Sequence, residues 1–468
     1  MTAIQNAIAP QLPSVPEPLP AGGPDPERFD CLEAWYPIAY IEDLDKARPT
    51  RFTLLEQALV IWWDPQASTW RVFADQCPHR LAPLSEGRIN EAGQLECPYH
   101  GWAFSGEGAC EQIPQALPET EPRLSNRACA TALPTSVRQG LIFVYPGTQE
   151  AAPRVAVPII QPVVEEPEGW VMLNTFRDLP YDALTLLENV LDASHIPYTH
   201  HKTVGKRENA APMQMDLVES GKQGFQGIWP EGPRKGKLGT QHTTFVAPCL
   251  MYHDLTSQQF GRTMTVVYAT PIRKGECRLF ARFPFKFSSK LPSFFIKLSP
   301  RWYTHISNNG VLEDDQIFLH FQERLLEKAG DRPYAQACYL PTQADRYVVA
   351  FRQWVSEFKA DPFPGQSLPP AQSTAALLDR YHSHTQHCSS CRSALQRIQK
   401  IRQAALMTSA VVWSLIPLTV AIADSLTLSL GILLTGIPLA GAALWFWLGK
   451  LERKFYEGRE IPPRNQVS

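Results

Sequence analysis

Two short Cys-Pro turns restrict the folds open to this 468-residue chain more than any other feature. One reads Cys77-Pro78-His79-Arg80 and the other Cys97-Pro98-Tyr99-His100-Gly101-Trp102, so each loop offers one thiol and one imidazole. Brought together, they supply two thiolates for one iron and two imidazoles for the other iron of a [2Fe-2S] cluster. Such a cluster is less negative than an all-Cys one, and its reduction potential is higher. Cys77 and Cys97 are assigned to one iron, His79 and His100 to the other. Two Cys and two His also suit a tetrahedral zinc ion, but the paired C-x-H and C-x-x-H spacing on two Cys-Pro turns favours the cluster. The surroundings agree: Ala58-Leu59-Val60-Ile61-Trp62-Trp63, a break at Asp64-Pro65, then Trp70-Arg71-Val72-Phe73 read as a β-hairpin. Short runs and turns of this kind fill residues 31–150, the expected β-rich domain.

A second set of metal ligands follows a connection at 151–167, where Pro153, Pro158, Pro162 and Pro167 interrupt any helix. Residues 168–381 mix strand-like runs, such as Cys277-Arg278-Leu279-Phe280-Ala281, with helix-like ones at 184–195 and 311–323, as in an α+β domain. In the first of those helices Glu188, Asp192 and His195 fall at i, i+4 and i+7 and share a face. Pro197 is expected to stop the helix, and the following turn to return His200, or His201 if the turn is shifted, beside His195. Two imidazoles and one carboxylate form the facial triad of a mononuclear Fe(II) centre, with positions left open for O₂ and substrate. The carboxylate must come from elsewhere, and Glu313-Asp314-Asp315 is the best acid run. Asp315 projects from a more apolar face than Asp314, where a bare acid is costly unless paired or metal-bound. The bland alternative is that all three acids are solvated.

Near the C-terminus, residues 403–423 and 425–449 carry no ionisable side chain and are separated only by Asp424. Each is long enough to cross a bilayer. Arg397, Lys400 and Arg402 precede the pair, Lys450, Arg453 and Lys454 follow it, and the turn has none. The positive-inside rule then predicts a two-span hairpin with both ends, the soluble domains and a 450–468 tail on the cytosolic side. A hairpin buried in a soluble domain is the alternative. Residues 382–402 hold His384-Thr385-Gln386-His387-Cys388-Ser389-Ser390-Cys391, a Cys-x-x-Cys whose readings include an incomplete zinc site and two ordinary thiols. Residues 1–30 read as a flexible Pro-rich leader with no Lys or Arg before Arg28, unlike a secretory signal or an Arg-rich transit peptide. A net charge of −2 without a basic patch away from the hairpin excludes nucleic acid as a partner.

The paired Cys-Pro turns resemble the signature of Rieske non-haem iron oxygenases. Together with the Asp315-to-Glu323 run, the Cys-x-x-Cys and the two apolar spans, they make the chain from Cys31 onward similar to the pheophorbide a oxygenase family. The resemblance implies an N-terminal Rieske domain, an α+β catalytic domain with mononuclear iron, and a C-terminal transmembrane hairpin. It implies His195, His200 and Asp315 as iron ligands, Asp192 as a catalytic bridge to a cluster histidine, and Cys388 with Cys391 as a thioredoxin-responsive switch. It further implies head-to-tail assembly, commonly as a homotrimer. No flavin or nicotinamide fingerprint is evident, so a ferredoxin or separate reductase is expected to supply electrons. A membrane anchor suits a large apolar substrate, with a chlorophyll-derived tetrapyrrole as the leading expectation. Phe245-Val246-Ala247-Pro248 and Leu291-Pro292-Ser293-Phe294-Phe295-Ile296 are candidate pocket walls, or equally ordinary core. Without the transit peptide of plant members, the chain reads as a cyanobacterial or other bacterial homologue in a thylakoid or plasma membrane. The rival class is a membrane-bound Rieske redox sensor or translocon-associated protein without turnover, which would need no open iron.

Overall fold

The computed structural model describes residues 28–117, 125–257, 261–330, 332–422 and 428–466, so the leader up to residue 27 and Asp424 lie outside the described residues. Two compact units emerge, one drawn from Met1–Leu298 and Phe318–Ala371, the other from Ser299–Ile317 and Gln372–Ser468. The division falls inside one unbroken helix, Arg301–Lys328.

In the first unit the expected hairpin forms. Gln57–Asp64 pairs with Thr69–Ala74, Asp64 opposite Thr69, within a four-stranded sheet completed by Thr50–Leu54 and Ala132–Leu133. Alternation puts Val60, Trp62 and Phe73 on the inner face, where they meet Leu84, Leu95 and Phe104. Each large apolar side chain buried this way contributes about 1.5–3 kcal/mol. A second sheet of four short strands, Arg88–Ile89, Leu95–Glu96, Ala103–Phe104 and Cys110–Gln112, covers this core.

Tyr36–Tyr40, Leu141–Val144 and Thr135–Arg138 make a third sheet, which is bonded to a larger one. The Tyr40 hydroxyl donates to the Ala281 carbonyl at 3.1 Å, and the Thr270 hydroxyl to the Pro37 carbonyl at 2.7 Å. The larger sheet has seven antiparallel strands, in the order Val171–Leu179, Glu276–Lys286, Gly261–Arg273, Leu250–Ser257, Gln241–Val246, Gly224–Trp229 and Asp216–Gly221. The helix Ala183–Leu191 lies on it through Ala183, Leu186, Leu187 and Leu191, an i, i+3, i+4, i+8 stripe. The connection before this sheet departs from the sequence expectation: Gln161–Glu165 is helical, because Pro162 sits in the first turn, where a missing N–H costs nothing. Phe245 is core, packed edge-on against Phe351 and Trp354. Leu291, Phe294 and Phe295 instead stand exposed on the helix Lys290–Leu298.

In the second unit, Ser389–Ile422 and Leu428–Arg453 pack against each other, and both are long and apolar enough to cross a membrane. Gly441 permits the approach, since a Cβ there would lie 2.1 Å from Ser409 Oγ and 3.0 Å from the Ala405 carbonyl oxygen. At the open end Arg402 is paired with Glu452 and stacks over Trp445 at 4.7 Å. The residues after the hairpin do not trail away. Arg380 and Gly458 donate their N–H groups to Tyr456 and Leu378 carbonyls at 2.8 Å, Thr385 Oγ1 donates to the Phe455 carbonyl at 2.7 Å, and the Phe455 ring is buried.

The hairpin is thus an insertion between two segments that touch. Replacing 403–449 by a short Gly-Ser linker is expected to keep this unit folded, whereas stopping at 402 removes Phe455 at a cost of about 3–5 kcal/mol. Thermal melts of the two shortened proteins check it; equal melting temperatures would show that the returning tail contributes nothing.

Candidate metal centres

Both Cys-Pro loops are tight turns at the ends of short strands. The Cys77 N–H donates to the Ala82 carbonyl and the Cys97 N–H to the Trp102 carbonyl, each at 2.8 Å, which points both thiols into the core around Leu84 and Leu95. Cys77 and Cys97 are 1% and 2% exposed, while His79 is exposed and His100 half-buried. The two imidazoles lie 4.6 Å apart, centroid to centroid, and His79 stacks on Trp102 at 4.6 Å. Burial pushes the Cys77 thiol up to about 12, opposed by the His79 backbone N–H and reinforced by Cys97. The buried Cys77 sulfur therefore becomes a thiolate only against compensating positive charge, which is what a cluster iron supplies. The donor set fits the cluster, with its imidazole side facing solvent, where a redox partner can reach it.

The second constellation forms by a different local route from the one expected. The helix ends at Leu191 because Asp192 is extended (φ −82°, ψ 97°), and Pro197 starts the next short helix, Ile196–Thr199, instead of stopping the previous one. Glu188 is not on the metal side. It is a buried acid held by Arg352, by the Tyr334 hydroxyl at 2.8 Å and by Gln322 Nε2 at 3.3 Å. Asp192 caps the turn that follows: its Oδ1 accepts from Ser194 N at 2.7 Å and Ser194 Oγ at 2.6 Å. His195 Nδ1 bonds to the Asp192 main-chain carbonyl; with the proton on that nitrogen, the Nε2 lone pair is left for a metal. His195 Nε2 and His200 Nε2 are 3.2 Å apart. It is His200 that meets His195, since His201 accepts from Arg207 N at 3.3 Å. Gly205 makes the return possible, because a Cβ there would lie 2.2 Å from the Ile196 carbonyl oxygen.

Beneath this turn His253 is buried on the seven-stranded sheet. Its Nδ1 faces Gln241 Nε2 at 3.0 Å and Thr243 Oγ1 at 2.9 Å, and its Nε2 donates to the Val190 carbonyl at 3.0 Å. Burial lowers its pKa to about 4, the Val190 bond opposes this, and His195 pushes the same way as burial. The unfolded value is near 6.5, so between about pH 6.5 and 4 the unfolded chain binds more protons. The stability is complete above that window and lost as pH falls through it, at up to about 1.4 kcal/mol per pH unit. His253→Gln is expected to flatten the melting temperature between pH 6.5 and 4; a fall as steep as in the parent would assign the loss to other groups.

All three acids of the 313–315 run are buried, so they are not a solvated face. Glu313 is clamped by Arg380 at 2.6 and 2.7 Å, and Asp314 lies 3.8 Å from Arg459. Asp315 occupies the same helix one turn before Leu319. The structure also reveals a group that sequence reasoning left incomplete: His305, His384, Cys388 and Cys391, all within the second unit, bring their ligand atoms within 4.8 Å of one another. The Cys-x-x-Cys was the visible half. His305, on a helix far upstream, left no local signal.

Set beside known proteins, residues 34–129 match the Rieske [2Fe-2S] domain and residues 245–332 match pheophorbide a oxygenase. The chain is 38% identical to the chloroplastic pheophorbide a oxygenase of Oryza sativa subsp. japonica over 438 residues, 86% of this chain and 81% of that protein. It is 34% identical to the chloroplastic flavonoid 8-hydroxylase 2 of Ocimum basilicum, covering 83% of this chain and 78% of that one. Among solved structures, Pseudomonas putida CBB5 NdmA with caffeine shares the fold, with a TM-score of 0.57 at 20% identity over 73% of this chain and 98% of that chain. Fold and paired loops together are those of a Rieske non-haem iron oxygenase. Within that class, the chain belongs to the pheophorbide a oxygenase family. A [2Fe-2S] cluster and a non-haem iron are the cofactors of this enzyme class.

Proposed function

We propose that the protein oxidises a chlorophyll-derived tetrapyrrole, of the pheophorbide or chlorophyllide type, with O₂ and electrons from a separate ferredoxin or reductase. The observation that carries this is the 3.2 Å approach of His195 Nε2 and His200 Nε2 beside Asp192, in a chain 38% identical to a pheophorbide a oxygenase. Cys77, Cys97, His79 and His100 would hold the cluster, and His195, His200 and Asp315 the iron. When bound, these groups supply one-electron delivery and O₂ activation.

Asp315 is supported by the family resemblance and by its burial on the helix Arg301–Lys328, where a bare acid is costly unless paired or metal-bound. Asp192 spends its carbonyl on His195 and Oδ1 on Ser194, and its Oδ2 is 3.8 Å from His195 Nδ1 on a side chain 27% exposed. That leaves it placed to accept from a cluster histidine of a neighbouring subunit in a head-to-tail homotrimer. The two apolar helices would anchor the enzyme in the membrane from which the pigment is taken, with the soluble units on the cytosolic side.

The test is full-length protein in detergent, given reduced ferredoxin and, separately, pheophorbide a, chlorophyllide and a flavonoid. Pigment-dependent O₂ uptake with an oxygen-containing product is expected. Uptake with the flavonoid alone would overturn the substrate class. No uptake with any of them, in protein carrying both iron centres, would favour the electron-transfer reading.

A further inference from the structure

We propose that His305, His384, Cys388 and Cys391 form a closed tetrahedral site for one divalent d¹⁰ cation, zinc by its donor set, separate from both iron centres. All four side chains are buried, none more than 1% exposed. Their spacing is that of a single coordination sphere. His384 Nε2 lies 3.2 Å from His305 Nδ1 and 3.3 Å from Cys391 Sγ, and His305 Nδ1 lies 3.4 Å from Cys388 Sγ and 3.5 Å from Cys391 Sγ. With Zn–N near 2.0 Å and Zn–S near 2.3 Å, a regular tetrahedron has N···N edges of about 3.3 Å and N···S edges of about 3.5 Å. The observed edges differ from these by at most about 0.2 Å. Such close ligands surround one ion and leave no room for the two irons and bridging sulfides of a cluster.

The local backbone is shaped to this end. Tyr381–Thr385 is a π-helical turn, closed by Gln386 N–H to the Tyr381 carbonyl at 3.0 Å, a widened turn of the kind that recurs at functional sites. It sets His384 beside Cys388 and Cys391, one residue before and two residues into the helix Ser389–Ile422. His305 comes from the second turn of Arg301–Lys328. Two thiolates, two neutral imidazoles and a dication sum to zero charge, the condition under which burial is tolerated. Two sulfurs and two imidazole nitrogens select zinc among the common divalent ions. With four protein ligands and no open position, the site is structural: it pins the first turns of one long helix to the base of the apolar hairpin. A metal on these thiols and a Cys388–Cys391 disulfide are mutually exclusive, so the site competes with the thiol-switch expectation for the same atoms.

The experiment is elemental analysis and zinc-edge X-ray absorption on the full-length protein, purified in detergent without a polyhistidine tag or chelator. About one zinc per chain is expected besides the iron, with a first shell of two sulfurs and two nitrogens. Cys391→Ser and His305→Gln should each lower zinc to near zero while acid-labile sulfide and the cluster signal persist. Should those variants fail to fold, the absorption spectrum of the unmodified protein still decides. Absence of zinc, a first shell of nitrogen and oxygen only, or a Cys388–Cys391 disulfide in most of the purified protein would overturn the site. None of these outcomes depends on turnover, so they leave the oxygenase reading to its own test.

Discussion

His100→Ala is expected to erase the cluster signal and all substrate-dependent O₂ uptake, while leaving iron at the mononuclear centre. The imidazole comes from a loop whose shape does not depend on it: Gly101 N–H to the Cys97 carbonyl at 3.1 Å and Cys97 N–H to the Trp102 carbonyl at 2.8 Å are main-chain bonds. The backbone should therefore survive, and one iron loses half of its protein ligands. His79, stacked on Trp102, is the other imidazole proposed for that iron and so cannot also replace His100. Electron paramagnetic resonance of the reduced protein, with iron and sulfide analysis, checks this. An intact Rieske spectrum in the variant would remove His100 from the ligand set.

The second large effect is expected from Asp192→Asn. Asparagine preserves the size and an oxygen for Ser194, and the main-chain carbonyl that fixes His195 is unchanged, so both metal centres should load. What disappears is the charge at Oδ2, 3.8 Å from His195 Nδ1. Removing an outer carboxylate of this kind typically costs 10- to 100-fold, and where it also links two redox centres, about 100-fold or more in O₂ uptake is expected. Stopped-flow oxidation of the reduced cluster in the presence of substrate reads the step directly. Wild-type rates would reduce Asp192 to the cap of the Ser194 turn. His195→Ala makes the contrasting control, keeping the cluster spectrum and losing the mononuclear iron.

The sequence announces the paired loops because every candidate donor there is local: a Cys-Pro turn, a histidine two or three residues on, and hairpins whose alternation is plain at 57–74. The second centre is legible in composition and not in conformation. Nothing in Leu191-Asp192-Ala193 shows that Asp192 breaks the helix, and counting i, i+4, i+7 put Glu188 on the wrong side, because its partners Arg352 and Tyr334 are some 150 residues away. A separation of 83 and 86 residues hides His305 from Cys388 and Cys391. Long-range pairing of buried charges leaves no periodicity, so Arg380 on Glu313 is equally unreadable, and in the sequence alone solvation of all three acids stands as the alternative to Asp315 as a ligand.

The folded return of residues 454–464 has a consequence for the order of events during synthesis. Arg380 clasps Glu313 and also donates to the Lys454 carbonyl at 2.9 Å, and Arg464 donates to the Asp314 carbonyl at 2.6 Å. The second unit therefore closes only after residues 454–464, and with them both apolar helices, have been synthesised. Until then the Phe455 ring is missing from its buried place and the Asp314 carbonyl lacks its Arg464 partner.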